Sequence, residues 1–326
     1  MRARLQNRFE DLSRRLRPLL VLRQLLHRRE LVETGERYRE LGLSKRWYSL
    51  VNHAEVAGRG ADVARLDRDD GLEELRSDAR FTRLSEPVQR GLEAWPEEGY
   101  LVVEGLIDPE RLERINADVD RLVDAGSLHQ HYRSQRFMNA HRKSAATAEV
   151  VSDPRVLELL ELILGRPARL FQTISFVRGS QQEAHSDAFH MMTEPPGFLV
   201  GVWVALEDID AESGPVFYLP GSHRLPYVMS EDLDLLASSA LLTPEKGKNY
   251  VVRMHQMSAA AREPRHFTAR AGDVLFWHHN LLHGGSPIAR PDSTRRSLVA
   301  HYFARDVLCY HEVTERPALI APAGNV

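Results

Sequence analysis

Five apolar residues near the start, Leu5, Phe9, Leu12, Leu16 and Leu19, recur at spacings of four, three, four and three, which is one helical stripe. Arg2, Arg4, Arg8, Arg14, Arg15 and Arg17 fall mostly on the other faces, and Pro18 ends or kinks the predicted helix. Residues 57–90, with GRGADVARLDRDDGLEEL, are rich in charge and glycine and read as a loosely structured bridge. From Trp95 the pattern sharpens. Tyr100–Val103 reads as a short strand, and Asp108 then caps a helix with Pro109 at its first position. Leu112, Ile115, Val119 and Leu122 give that helix its apolar face, and Gly126 closes it. A second helix over Asp153–Leu164 repeats the Asp-Pro start and the glycine stop, at Gly165.

After residue 168 the texture changes to short apolar runs separated by Gly/Pro turns: Leu170–Val177, Phe198–Leu206, Val216–Leu219, Val274–Trp277 and Leu298–Phe303. This predicts an antiparallel β sandwich or barrel preceded by helices. No repeat of 20–50 residues is visible.

Composition narrows the function classes. The 326 residues are 43% apolar and 27% charged, an ordinary globular balance. A single cysteine, Cys309, excludes an intramolecular disulfide and a thiolate metal cluster. The net charge is only -3, so no global nucleic-acid-binding field is expected. The charge is uneven, however: residues 1–50 carry 13 Lys/Arg against six Asp/Glu, a net of +7, which leaves -10 for the rest. No apolar stretch reaches the roughly 18 residues of a spanning helix, and Pro18 to Leu26 is broken by Arg23 and Gln24. A cytoplasmic location is expected, with residues 1–32 as a basic amphipathic segment suited to weak peripheral contact with an anionic membrane surface.

Three segments of the β half carry chemistry. In EAHSDAFH, His185 and Asp187 stand two apart, and on extended backbone they project to one face and can converge on one ion. In AGDVLFWHHNLLHGGS, a strand ends at His283, and Gly284 and Gly285 are read as leaving space beside its imidazole. In PDSTRRSLVAHYF, Arg295 and Ser297 share one strand face. If Ser286–Ser293 joins a hairpin, residue 283 faces about 296 and Arg295 comes near His283. Two histidines, one carboxylate and open positions make the facial triad of non-haem Fe(II) oxygenases. The planar fork of an arginine beside it suits a carboxylate, with a serine hydroxyl as helper.

The sequence resembles the phytanoyl-CoA dioxygenase family of Fe(II)- and 2-oxoglutarate-dependent oxygenases, over roughly Trp95 to Ala304. The resemblance rests on His185-x-Asp187, Trp203 in GVWVALED, ESGPVFYLPGSHR, GDVLFWHHNLLHGGS and Arg295-x-Ser297 before LVAHYF. It implies a double-stranded β-helix (jelly-roll, cupin-like) core of mainly β, α+β class, with N-terminal helices packed on it. His185, Asp187 and His283 would bind Fe(II), and Arg295 would hold the distal carboxylate of 2-oxoglutarate, with Ser297 beside it. Gln172 matches a position near the chelating end of the cosubstrate and Trp203 one lining the pocket. Dioxygen would be consumed, and succinate and CO2 released. Related halogenases replace the carboxylate ligand with a small residue; Asp187 is retained here, which favours hydroxylation. The expected organisation is a helical, basic extension over 1–90, the dioxygenase domain over 91–310 with a lid-like insert over 225–268, and a tail over 311–326.

Other readings stay open at this point. His279 shares the parity of His283 as a ligand candidate, His190 and His301 are pocket or supporting candidates, and His223 serves the turn or the substrate. Arg133, Arg136, Arg142 and Lys143 in the polar stretch 129–145 are compatible with an anionic or carrier-linked substrate. Arg253, His255 and Gln256 of the insert are further contact candidates. The rival functions are a non-catalytic metabolite- or sugar-binding jelly roll, and a membrane-surface oxygenase acting on a lipid or lipid-linked glycan.

Overall fold

A computed structural model describes residues 17–130, 136–233 and 244–320. Its helices include α1 (Arg17–Leu26), α2 (Gly71–Ser77), α3 (Glu86–Glu98), α4 (Pro109–Asp124), α5 (Ala145–Val151), α6 (Pro154–Leu164) and α7 (Pro244–Ala260), besides a helix over Thr34–Glu40, a single turn at His53–Val56 and several 3-10 turns. The strands are β1 (Tyr100–Val103), β2 (His129–Gln130), β3 (Arg136–Met138), β4 (Ala168–Phe176), β5 (Met192–Glu194) and β6 (Leu199–Ala205). They continue with β7 (Val216–Tyr218), β8 (Arg265–Phe267), β9 (Val274–His278), β10 (His283–Gly285), β11 (Ser297–Ala304) and β12 (Leu308–Tyr310). Most of the apolar stripe at residues 5–19 lies outside the described residues.

The strands build a major sheet in the order β1-β9-β6-β11-β4-β3-β2 and a minor sheet β10-β7-β8, with β12-β5 as a separate pair. The pairings among these strands are antiparallel. All seven residues of β6 are buried, because both faces of the major sheet are covered. Val200, Val202 and Val204 pack outward with Leu92, Leu112, Ile115, Leu160 and Ile163 of the helices. Trp203 and Ala205 point the other way and meet Val216 and Tyr218 of the minor sheet. Period-2 alternation thus divides each strand between a helix-backed core and a barrel interior. This is the double-stranded β-helix, and its interior holds the site.

The Asp-Pro starts and glycine stops read from sequence for α4 and α6 are borne out, although Asp108 makes no side-chain cap bond, and Pro18 stands in the first turn of α1 where it was expected to end or kink a helix. Asp153 accepts from the backbone N–H of Arg155 and Pro154 opens α6, which ends at Gly165 with φ 75°. Two readings need correction. Residues 57–90 are no loose bridge: Leu66, Leu75, Phe81 and Val88 belong to the main core. Their charged neighbours pair locally, Arg65 with Glu74 and Arg80 with Asp78, which leaves the apolar side chains free to pack. Gly71 is required there, because a Cβ would lie 1.7 Å from the carbonyl oxygen of Arg65.

The second correction concerns the hairpin. β10 does not pair with β11; it pairs with β7, while β11 inserts between β4 and β6. The connection crosses from one sheet to the other, as Ser286 N–H bonds the carbonyl of Pro215 and Arg295 N–H that of Val177. Within the insert, α7 buries Tyr250, Met254 and Met257 against Phe189, Leu219 and Leu282.

Candidate metal centre

β4 ends at Phe176, and the chain returns to the barrel mouth at His185, which forms an isolated antiparallel bridge with His283 at the start of β10. Each donates its backbone N–H to the carbonyl of the other, at 2.9 and 3.0 Å. The two imidazoles are therefore brought side by side by main-chain bonding, with ring centroids 4.4 Å apart and planes tilted by 48°. Asp187 opens a 3-10 turn, Asp187–Phe189, so its carboxylate is aimed by bridge and turn together, where a continuous strand was expected. One ligand-type atom from each of His185, Asp187 and His283 lies within 4.8 Å of the others, the one such group among the described residues.

The tautomers fit a cation. In both imidazoles Nδ1–H donates to the carbonyl two residues earlier, His185 to Glu183 and His283 to Leu281, each at 3.0 Å. Nε2 is then the unprotonated nitrogen that a metal takes. Burial, reinforced by the neighbouring His283, pulls the His185 imidazole down to about 3, so it is neutral at pH 7. Burial alone would raise Asp187, but His301 and then His283 hold its carboxylate well below the usual range.

Oδ2 of Asp187 accepts from the Trp277 indole N–H at 2.8 Å and from His301 Nε2 at 3.2 Å. Gln172 Nε2 donates to His301 Nδ1 at 3.3 Å, which puts the His301 proton on Nε2, facing the carboxylate. Gln172, His301, Gly201 and Trp277 form one row across β4, β11, β6 and β9. A Cβ at Gly201 would lie 2.3 Å from the Trp277 indole, so glycine makes room for the ring that anchors Asp187. Gln172 thus reaches the centre through His301.

Further along the same inner face, Arg295 is 2% exposed. Its Nη1 donates to Ser297 Oγ at 2.8 Å, and its guanidinium carbon lies 5.2 Å from the Phe176 ring and 5.8 Å from the Trp203 ring. It has no carboxylate partner among the described residues, and its Nε and the Trp203 Nε1 are buried without acceptors. Burial pulls the guanidinium down to about 10, opposed by Glu207 and reinforced by the Arg136 charge. A buried fork with orphaned donors fits an incoming carboxylate.

Gly284 and Gly285 do not leave coordination space open. Cβ atoms there would meet Gln182 O and Phe217 at 2.6 Å, and Ser180 Oγ at 2.5 Å. These glycines admit the 180–182 loop. His279 is not part of the ligand group: its carbonyl accepts from Ala188 N–H, and its ring stands 4.7 Å from that of His278 and 5.4 Å from Tyr227. His223 Nε2 bonds the carbonyl of Pro96 at 3.2 Å, a fold role. His190 is exposed, 6.1 Å from the His185 ring. Arg253 and Gln256 are exposed, and His255 pairs with Glu183 at 3.2 Å. Arg142 pairs with Glu30, and Lys143 reaches the Ser127 carbonyl. Arg133 lies outside the described residues.

Two residues escaped the sequence reading. Trp277 was legible as an inward neighbour of Leu275 on the strand leading to His283. Tyr250, whose hydroxyl accepts from Ser186 N–H at 3.2 Å between the two ligands, sits in a polar insert that carries no such signal.

Residues 95–297 match the family model described as Phytanoyl-CoA dioxygenase (PhyH). The chain is 29% identical over 215 residues to an ectoine dioxygenase of Nocardia farcinica, covering 60% of this chain and 71% of that one. It is 22% identical over 242 residues to the peroxisomal phytanoyl-CoA dioxygenase of Rattus norvegicus, covering 65% and 67%. Among solved structures, the non-heme alpha-ketoglutarate dependent carbocyclase of nogalamycin biosynthesis matches with a TM-score of 0.55 and 18% identity, covering 70% and 87%. EctD of S. alaskensis, with 2-oxoglutarate and 5-hydroxyectoine, matches with a TM-score of 0.51 and 19% identity, covering 68% and 76%. These structural likenesses support the fold.

Proposed function

Because the chain belongs to the phytanoyl-CoA dioxygenase family, we propose that it is an Fe(II)- and 2-oxoglutarate-dependent dioxygenase hydroxylating an unactivated C–H bond of a small or carrier-linked metabolite. The observation that carries this reading is the triad of His185, Asp187 and His283 within 4.8 Å, in the same barrel as a buried arginine that has no carboxylate partner among the described residues. His185 and His283 would hold the metal through Nε2 and Asp187 through Oδ1, while Trp277 and His301 keep Oδ2 turned away. Arg295 and Ser297 would grip the distal carboxylate of the cosubstrate, and Trp203 walls that end. With dioxygen, iron and 2-oxoglutarate supply the oxidising power, and succinate and CO2 are released. The chain's own contribution is positional: imidazoles held by their Nδ1–H bonds, an ionised carboxylate and apolar walls that keep bulk water from the reacting carbon.

A carboxylate third ligand favours hydroxylation over halide chemistry. The non-catalytic binder is disfavoured, since such a protein needs no His/Asp/His group in the same barrel as a buried arginine that lacks a carboxylate partner among the described residues. The test is succinate formation from Fe(II), oxygen and 2-oxoglutarate. Wild type is expected to turn over slowly without substrate, and His283→Ala and Asp187→Ala to produce none. A wild type fully loaded with iron that forms no succinate, even with cell extract as substrate source, would overturn the proposal.

A second reading, peripheral membrane contact, is supported by Leu22, Leu25, Leu26 and Val32, which are 45–79% exposed beside Arg28 and Arg29. No helix among the described residues is long and apolar enough to cross a membrane. Salt-sensitive sedimentation with anionic vesicles, lost on deleting residues 1–32, is the expected result; absence of vesicle binding defeats it.

A further inference from the structure

Ser186, the residue between His185 and Asp187, is 3% exposed and bonded through both its side chain and its main chain. Its Oγ accepts from Ala188 N–H at 3.2 Å, which caps the 3-10 turn that aims Asp187. The same hydroxyl donates to Asn280 Oδ1 at 3.1 Å. That orientation of the amide is set by Asn280 Nδ2, which donates to the carbonyls of His223 and Leu225. The main-chain groups of Ser186 go to a different partner. The Tyr250 hydroxyl accepts from Ser186 N–H at 3.2 Å and donates to the Ser186 carbonyl at 3.4 Å. These groups belong to the two peptide units that join Ser186 to His185 and to Asp187. One phenol thus meets both, as a neighbouring strand would.

Tyr250 belongs to α7, which is attached along one stripe. Tyr250, Met254 and Met257, at spacings of four and three, are buried, whereas Val252, Arg253 and Gln256 are exposed. The Tyr250 ring stacks on Phe189, the last residue of the turn that Asp187 opens, with centroids 3.9 Å apart and planes 18° apart. On the other side His255 pairs with Glu183 at 3.2 Å, and the Glu183 carbonyl takes the Nδ1–H of His185. The helix therefore meets residues 183–189 at three points that bracket both ligands. A helix held by one narrow stripe detaches locally at lower cost than the central strands do. Any such detachment takes the phenol away from the two peptide units between the ligands.

We propose that Tyr250 is a positioning residue of the metal centre: its hydroxyl fixes the peptide units on either side of Ser186, so that docking of α7 and binding of the metal favour each other. This rests on the oxygenase reading above for the identity of the metal. Coupling of this kind is reciprocal, so it can be read at either end. Tyr250→Phe keeps the stacked ring and removes the hydroxyl alone. In anaerobic equilibrium dialysis its Fe(II) affinity should fall about fivefold, the size of one net hydrogen bond. With Co(II) as a probe, its visible absorption should differ from that of wild type, because the carboxylate is aimed differently. In wild type, amide hydrogen exchange across α7 should slow when Fe(II) is added, and Tyr250→Phe should lose most of that slowing. A role in packing alone would lower the unfolding midpoint of the metal-free variant and leave these three readouts unmoved. Fe(II) affinity within twofold of wild type, an unchanged cobalt spectrum, or exchange in wild-type α7 that is indifferent to metal would each overturn the assignment. Succinate formation by iron-loaded wild type is measured alongside. Its absence rejects the oxygenase reading, and its presence with any of those three results rejects this inference alone.

Discussion

Replacing Trp277 with Phe removes one donor from Asp187 Oδ2 and keeps most of the ring. The lost bond is 2.8 Å long, buried and made to an ionised carboxylate. Hydrogen bonds to charged groups contribute about 1.5–3 kcal/mol, equivalent to about 13- to 160-fold in an equilibrium constant. Asp187 retains His301 at 3.2 Å, so the lower end applies and Fe(II) affinity should fall by about tenfold. Anaerobic equilibrium dialysis with Fe(II) measures it. The smaller ring also leaves a void beside Gly201, costing about 1–3 kcal/mol of stability, and thermal unfolding of the metal-free protein reports that cost separately. His301→Leu should shift metal affinity in the same direction, and the double variant should lose more than either, because the carboxylate then has neither side-chain donor. Iron affinity within twofold of wild type in a folded Trp277→Phe protein would refute the idea that these donors aim the ligand.

Gly201→Ala places a Cβ 2.3 Å from the same indole and should destabilise the protein by about 1–3 kcal/mol; an unchanged unfolding midpoint contradicts that packing. Arg295→Gln should raise the KM for 2-oxoglutarate at least tenfold, with Arg295→Lys intermediate, as read from succinate formation; an unaltered KM removes Arg295 from the cosubstrate's binding site. Burial, helped by Arg142, pulls His141 down to about 4, and its Nδ1 meets Thr173 Oγ1 at 2.8 Å. Because the unfolded histidine takes a proton near 6.5, stability should fall as pH drops from about 6.5 toward 4. His141→Gln should flatten that part of the curve in urea titrations, and an identical slope in both proteins would argue against it.

Much of this architecture was legible before any coordinates. The Asp-Pro starts and glycine stops of α4 and α6 are local signals, decided by capping and backbone freedom within a few residues. The long apolar runs of β4, β6, β9 and β11 announced themselves for the same reason. What failed depended on contacts distant in sequence. The β10–β11 hairpin was the short-range solution, but β11 gains two partners by joining β4 and β6, and no pattern in residues 283–297 encodes that choice. The glycines after His283 looked like open space because the 180–182 loop that fills it lies a hundred residues earlier. Charged residues at 57–75 masked a packed segment, since ion pairing between Arg65 and Glu74 cannot be distinguished from solvation in a linear string. His185, Asp187, His283 and Arg295 were identifiable because their residue types are chemically demanding. Trp277 was legible only as an inward-facing residue of its strand, since an indole in an apolar run reads as packing, and Tyr250 stands in a polar insert that gives no sign of where it docks.

The mutual backbone bonds between His185 and His283 divide the coordination set into unequal parts. The nitrogen pair is clamped by peptide groups whatever side chains stand there, so their spacing is inherited from the main chain. Asp187 has no such tie: its direction comes from one short turn and two borrowed donors. A protein constructed this way can exchange its third ligand, or let it swing, without disturbing the other two. Chemical diversification of the scaffold is therefore cheapest at the acid position.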